Sequence, residues 1–413
     1  MRQKNKLDIL RSEVEIPEIV QRKADDAFTQ IRLECALFQG EPSGKTEGQN
    51  MKRQNRQGLG NGKIVRRRMW PAATAAALAV TVLGVGAAAA YSKWSNGMGE
   101  GLQVSSEMQE ELEDMQMASF PEQSVTQGDV TVTAQQCIVD SHFARLSFKV
   151  EGFAVEDGIQ PEFSEARVNV GTKDGDYTPE GASGSVLSGF YNGLMTENGR
   201  AVHLDGTPLT ENDVISYTMA DGSLEYQISL FSEEKDYYIG KQIYVELKDL
   251  GVDRDEMAGE PEVVVPGTWS FEWTLPGNNE VRSCELNETL GESGATVTGV
   301  ELSPLSIYAT YEMPRQIETE VAVDQNGTES MREFYKEPPY LTGVKLKDGT
   351  MHIGITGGGS MGYVAADSDT YEVTYSLLRA VDPAQVESLL FVKSYPEGDE
   401  PLQEENLYIV PVE

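Results

Sequence analysis

The 413-residue chain has only three cysteines, Cys35, Cys137 and Cys284, and only three histidines, His142, His203 and His352. So few cysteines exclude a disulfide framework or a cysteine-based zinc module. Cys137 and Cys284 read as buried small hydrophobes, with their pairing left open. The histidines share no ligand spacing with one another or with the cysteines. His142 and His352 fall in strand-like runs and are expected to be partly buried there, and no metal or cofactor follows from any of the three. Positive charge is also scarce, with 33 Lys and Arg against 67 Asp and Glu and a net charge of −34. An excess of this sign argues against binding nucleic acid or anionic lipid headgroups.

There is one long uncharged run, Trp70–Tyr91, with Arg66, Arg67 and Arg68 directly before it. About 20 apolar residues suffice to cross a bilayer as a helix, and clustered Arg stays on the cytoplasmic side. The expectation is one transmembrane helix at 70–91, a cytoplasmic N-terminus and an extracellular C-terminal ectodomain. The run is Ala-rich and Ala88-Ala89-Ala90 offers a cleavage pattern, but 69 residues precede it, too many for a removable signal peptide. Charge divides at the same place. Residues 1–69 hold 15 Lys and Arg and 9 Asp and Glu, which leaves residues 92–413 with 18 and 58, a net of −40.

In residues 1–69, Ile16-Pro17 opens a helical pattern, proline being tolerated in a first turn. Val20, Ala24, Ala27, Phe28, Ile31, Cys35 and Phe38 recur at spacings of three and four, one apolar helix face. Residues 39–63 read as a flexible tether that offers this face no packing partner. Val20, Ala24, Ala27, Phe28, Ile31 and Phe38 are therefore the expected partner-binding residues.

Residues 92–119 read as a membrane-proximal helical linker. Ser92–Gly97 turns the chain away from the bilayer, and Ser106-Glu107-Met108-Gln109 has the form of a capping box. From Val125 the apolar period becomes two. Val130, Val132 and Ala134, then 143–150, 214–219, 224–231, 242–247, 263–265 and 269–275 read as strands. Residues 171–200, with seven glycines, read as a long inserted loop. Pro276–Asn279 looks like a boundary, after which the order of elements repeats, with Asp382-Pro383 capping a single helical turn. The expected fold is mainly β: a short cytoplasmic α-helix, the transmembrane helix, and two immunoglobulin-like β-sandwich modules at 120–278 and 281–413.

The motifs that suggest catalysis fail in context. Gly358–Gly362 matches G-x-S-x-G, but no His follows Ser360, and the glycines are expected to form a tight loop. Ser232–Lys235 matches S-x-x-K without its companion motifs, and Gly40–Thr46 is one residue short of a P-loop. Asp249, Asp253, Asp255 and Glu256 read as a solvated acidic loop rather than a calcium site. Trp269, Phe271 and Trp273 alternate on one strand face and are expected in the core rather than as a sugar platform. No enzyme is expected.

The Ile16–Val20 segment, the Arg-flanked span, Trp94–Gly97, the Ser106–Met117 helix, Gly128–Asp140 and Phe148–Gly152 together resemble one family. It comprises uncharacterised single-pass membrane proteins of Gram-positive bacteria. These carry a membrane-proximal domain of unknown function, often a second β-domain, and are frequently encoded beside extracytoplasmic-function sigma factors. The resemblance implies an anti-sigma-like signalling regulator that couples an unknown extracellular ligand to a cytoplasmic sigma factor. Residues 1–69 lack the His and Cys pattern of zinc-binding anti-sigma domains. The alternative is a cell-surface binding or structural protein without a signalling role.

Overall fold

A computed structural model describes residues 94–173, 184–210, 212–253, 261–323, 329–365, 367–396 and 400–412. The expected partner-binding residues and the expected span at 70–91 lie outside these residues.

Among the described residues the fold is mainly β, with two short α-helices, α1 (Asn96–Gly101) and α2 (Ser106–Asp114). Each starts on a serine side chain that accepts a backbone N–H of the first turn, Ser95 from Met98 and Ser105 from Met108. The α2 cap is thus Ser105, one residue before the expected Ser106.

The first half packs two antiparallel sheets face to face. One contains β1 (Ala118–Ser119), β2 (Gln123–Gln127), β3 (Val130–Val139), β4 (Phe143–Glu151), β6 (Gly184–Phe190) and β9 (Leu224–Ser232). Its order is β1-β3-β4-β9-β6, with β2 also paired to β3. The other is β11-β10-β5, made of β5 (Gln160–Val170), β10 (Gln242–Asp253) and β11 (Glu262–Thr274). Val132, Leu146, Phe148 and Ile228 from the first sheet meet Phe163, Ile243, Trp269 and Phe271 from the second in one core. Residues 171–200 are less of a loop than expected. They carry β6 and the start of a hairpin, β7 (Leu194–Glu197) with β8 (Arg200–His203). The expected strand at 214–219 is irregular.

The second half repeats the plan. One sheet runs β12-β13-β14-β20-β19: β12 (Arg282–Thr289), β13 (Thr296–Leu302), β14 (Ser306–Glu312), β19 (Thr356–Tyr363) and β20 (Thr370–Leu377). The facing sheet runs β18-β17-β21-β22: β17 (Leu341–Leu346), β18 (Met351–Ile353), β21 (Val386–Val392) and β22 (Leu407–Pro411). Val300, Ile307, Tyr311 and Tyr375 pack against Leu341, Leu389, Phe391 and Val410. A separate hairpin joins β15 (Ile317–Val323) to β16 (Glu329–Tyr335). In both halves these strand orders follow the immunoglobulin-like pattern expected from sequence, β3-β4-β9-β6 facing β11-β10-β5 and β13-β14-β20-β19 facing β18-β17-β21-β22.

A third core joins the halves. Trp94, Met98, Leu102, Leu112 and Met117 pack with Ile138 of β3 and Leu305 of the second half. The linker between the halves is tied to α2's end, with Gly277 N–H donating to Gln116 O and Asn278 Nδ2 to Met115 O.

The membrane-protein expectation is corrected here. Among the described residues no helix is long and apolar enough to cross a membrane. At 1.5 Å per residue even the nine-residue α2 extends only about 14 Å, against a hydrocarbon core of about 30 Å. Trp94, Ser95, Gly97 and Met98, expected to lead away from a bilayer, are instead buried against the first sandwich. The single-pass topology, the transmembrane element of the fold class and the cell-membrane localisation are therefore set aside.

Candidate functional site

The polar side chains that stand out lie where the two sandwiches meet. β3, β4 and β9 place Gln136, Ser147, Glu225 and Gln227 on the outer face of the six-stranded sheet, and α1 lies across that face. Glu225 is 3% exposed. One of its oxygens accepts from Ser95 Oγ and from Gln227 Nε2 at 2.8 Å, and the other accepts from Gly97 N–H at 2.7 Å. Ser147 Oγ donates to Ser95 Oγ at 2.9 Å, and Ser95 N–H donates to Gln136 Oε1 at 2.8 Å. The carboxylate is thus used up in holding α1 on the sheet. Nearby Glu100 has its carboxyl raised above the usual range, by burial and then by the charge of Glu225.

The β3–β4 turn holds a second buried carboxylate, Asp140. Its Oδ1 accepts from His142 N–H and Phe143 N–H at 3.0 and 2.8 Å, while Oδ2 accepts from Ser303 Oγ and Ser306 Oγ at 2.6 Å each. The His142 ring stacks on Tyr308, with centroids 6.0 Å apart. Four donors satisfy Asp140, two from each half of the molecule.

Arg145 on β4 is less well provided for. Its Nη2 donates to Leu377 O at 2.7 Å, and its Nε has no hydrogen-bond partner. Burial pulls its pKa down to about 10, only partly opposed by the charge of Asp140. Arg145 lines a crevice of about 150 Å³ between α1, β4, β7, β9 and Leu378. Tyr191 lines the same crevice; its hydroxyl is buried without a partner. Burial, followed by the charges of Glu100 and Glu225, raises its pKa above the ordinary tyrosine value.

The motifs read from sequence are used structurally. Ser360 lies on β19, a paired strand rather than a loop. A Cβ on Gly359 would stand 1.7 Å from Thr374 O, so glycine is what allows β19 to close on β20. Ser232 Oγ accepts from Glu234 N–H, and Lys235 reaches Glu301 across the junction at 2.6 Å rather than Ser232. Asp249 Oδ1 accepts Gly267 N–H inside the β10–β11 bulge. Among the described residues no group of three or more His, Cys, Asp or Glu could hold a metal ion. His142 belongs to the β3–β4 turn, His203 contacts Asp213 at 3.2 Å, and His352 sits in β18. Trp269, Phe271 and Trp273 are buried, as their alternation implied. Cys137 and Cys284 are both free and buried, each in a different core.

No protein-family model matches the chain. No curated protein matches it. Among solved structures it resembles one described as the crystal structure of the conserved domain protein from Bacillus anthracis. That likeness has 13% identity and a TM-score of 0.30, and covers 71% of this chain and 88% of that one. A second, BspA_C_mut, has 10% identity and a TM-score of 0.13 over 60% and 81% of the two chains. Neither likeness is strong enough to carry an argument.

The family resemblance is corrected accordingly. The residues that suggested it are explained by packing: Trp94–Gly97 and Leu112–Met117 fill the third core and its polar margin, and Gly128–Asp140 contains β3. The anti-sigma-like signalling role, the membrane and sigma-factor partners, and the coupling of an extracellular ligand to a cytoplasmic one are set aside with it. Sequence reasoning did not single out Asp140, Arg145, Tyr191 or Glu225. Only the unbroken buried run Gln136–Val139 signals that both faces of β3 are covered.

Proposed function

We propose that this chain is a binding or structural protein, without a catalytic or signalling role, in which two β-sandwiches are held as a fixed pair. The observation that carries this reading is the bonding of both buried junction carboxylates, with four protein donors on Asp140 and three on Glu225. Buried carboxylates held by several donors lock geometry and are poorly suited to proton transfer. The position of Ser360 on a paired strand supports the same reading.

The test is a hydrolase panel of p-nitrophenyl esters, glycosides and phosphates with the full chain and with Ser360→Ala. Hydrolysis at the buffer rate is expected throughout. Turnover above that rate, lost in Ser360→Ala or in Asp140→Asn, would overturn the reading.

A further inference from the structure

The junction crevice is walled by Met98, Leu102, Leu146, Met195, Ile228 and Leu378, and among the described residues Arg145 is the one charged residue that lines it. Its volume of about 150 Å³ is room for about five waters at ~30 Å³ each, or for an organic molecule of a few carbons. Buried cations need a counter-charge or a full set of acceptors. Arg145 feels the charge of Asp140 but is not bonded to it: its Nη2 meets one neutral carbonyl, its Nε is unpartnered, and the four donors on Asp140 come from elsewhere. Thr196, Gln227 and Ser229 line it as well, and a cleft between modules that combines apolar walls with a few polar groups is the usual form of a small-molecule site.

We propose that this crevice binds a small monocarboxylate, its carboxylate on the Arg145 guanidinium and its short hydrocarbon chain against Met98, Ile228 and Leu378. This deepens the binding-protein reading and rests on it. A guanidinium matches a carboxylate in shape and charge, and a hydrogen bond between ions is stronger than one between neutral groups. Tyr191, next to Glu100 and Glu225, makes the other part of the crevice hostile to a second negative charge. The site therefore selects monocarboxylates over dicarboxylates.

The experiment is calorimetric titration of the full chain with sodium butyrate, sodium succinate, sodium chloride and butylammonium chloride at matched ionic strength. Saturable binding is expected for butyrate alone, and Arg145→Met should weaken it about tenfold or more. A second measurement does not depend on that variant folding: crystals of the wild-type chain soaked in 3-bromopropionate, with bromine located by anomalous scattering. Bromine in the crevice between Met98 and Leu378 is expected. No saturable butyrate binding, undiminished binding by Arg145→Met, or bromine only elsewhere would each overturn the proposal. Turnover in the hydrolase panel would sink the non-catalytic reading while butyrate binding stayed measurable, so the two fail separately.

Discussion

Asp140 and Ser303 are 163 positions apart, yet Ser303 Oγ donates to Asp140 Oδ2 at 2.6 Å in a site closed to solvent. This contact, doubled by Ser306, fastens the two sandwiches with a charged acceptor. Asp140→Ala strips the acceptor from two hydroxyls and two backbone N–H groups and should cost roughly 3 kcal/mol or more. Ser306→Ala leaves Ser303 in place and should cost roughly 1 kcal/mol. Urea unfolding of the full chain measures both, and equal costs would mean that the junction does not depend on the carboxylate.

The β7–β8 hairpin comes close against the second half at Gly354. Gly354 has φ +66°, and a Cβ there would lie 2.1 Å from Gly199 N. Gly354→Ala must push the hairpin aside and should cost roughly 2–4 kcal/mol. Gly349→Ala, also at positive φ but with nothing within 4 Å, is the control. It should cost only about 1 kcal/mol of backbone strain. Melting temperatures that fall equally in the two variants would place the hairpin away from Gly354.

Two titrations should separate on the pH scale. Burial, with help from the charge of Arg379, holds the His352 pKa down at about 4. The unfolded chain then takes up this proton first, so stability is full above about 6.5 and falls as pH drops toward 4. His352→Gln should flatten the melting curve over that window. Asp221, bonded to Ser223 and paired with Lys149 at 2.9 Å, has its pKa lowered to about 2. Its contribution is present above about pH 4 and lost as pH falls toward 2, and after solvent screening it is under about 1 kcal/mol. Asp221→Asn should therefore change stability at pH 6 but not at pH 2.

Cys137 should be inert in the folded protein. Burial raises its pKa to about 11, against the smaller opposite effects of Ser119 and Trp273. At pH 8 almost none is thiolate, the species that reacts. Iodoacetamide treatment followed by peptide mapping should find Cys137 unmodified in native protein and modified in guanidinium chloride. Native labelling as fast as unfolded labelling would mean that the core around Trp273 opens readily.

The strands that face a sandwich core were legible because their neighbours differ in environment. Val130, Val132 and Ala134 alternate with partly exposed residues, and so do Trp269, Phe271 and Trp273. The single turn at Asp382-Pro383 was also legible, since its cap is local: Asp382 accepts Ala384 N–H. The candidate site was not. Glu225 and Arg145 lie on strands where charge ordinarily marks a solvent face, and what buries them comes from 128 and 232 positions away. Periodicity reports the environment of a strand but not the identity of a distant cover. The same blindness led the Trp94–Met117 segment to be read as a spacer.

That segment sets an order of events during synthesis. Residues 94–117 leave the ribosome well before either of their partners, Glu225 or Leu305, has been made. The first sandwich can close once β11 has emerged, and Glu225 can then seat α1. Trp94, Met98 and Met117 stay short of one wall until Leu305 and the strands around it follow. Domains that fold from the N-terminus onward usually finish one unit before starting the next. Here the segment at 94–117 is made before its partners and is among the last to be fully enclosed, so a nascent chain arrested before Leu305 would present an unsealed apolar surface to the chaperones that attend it.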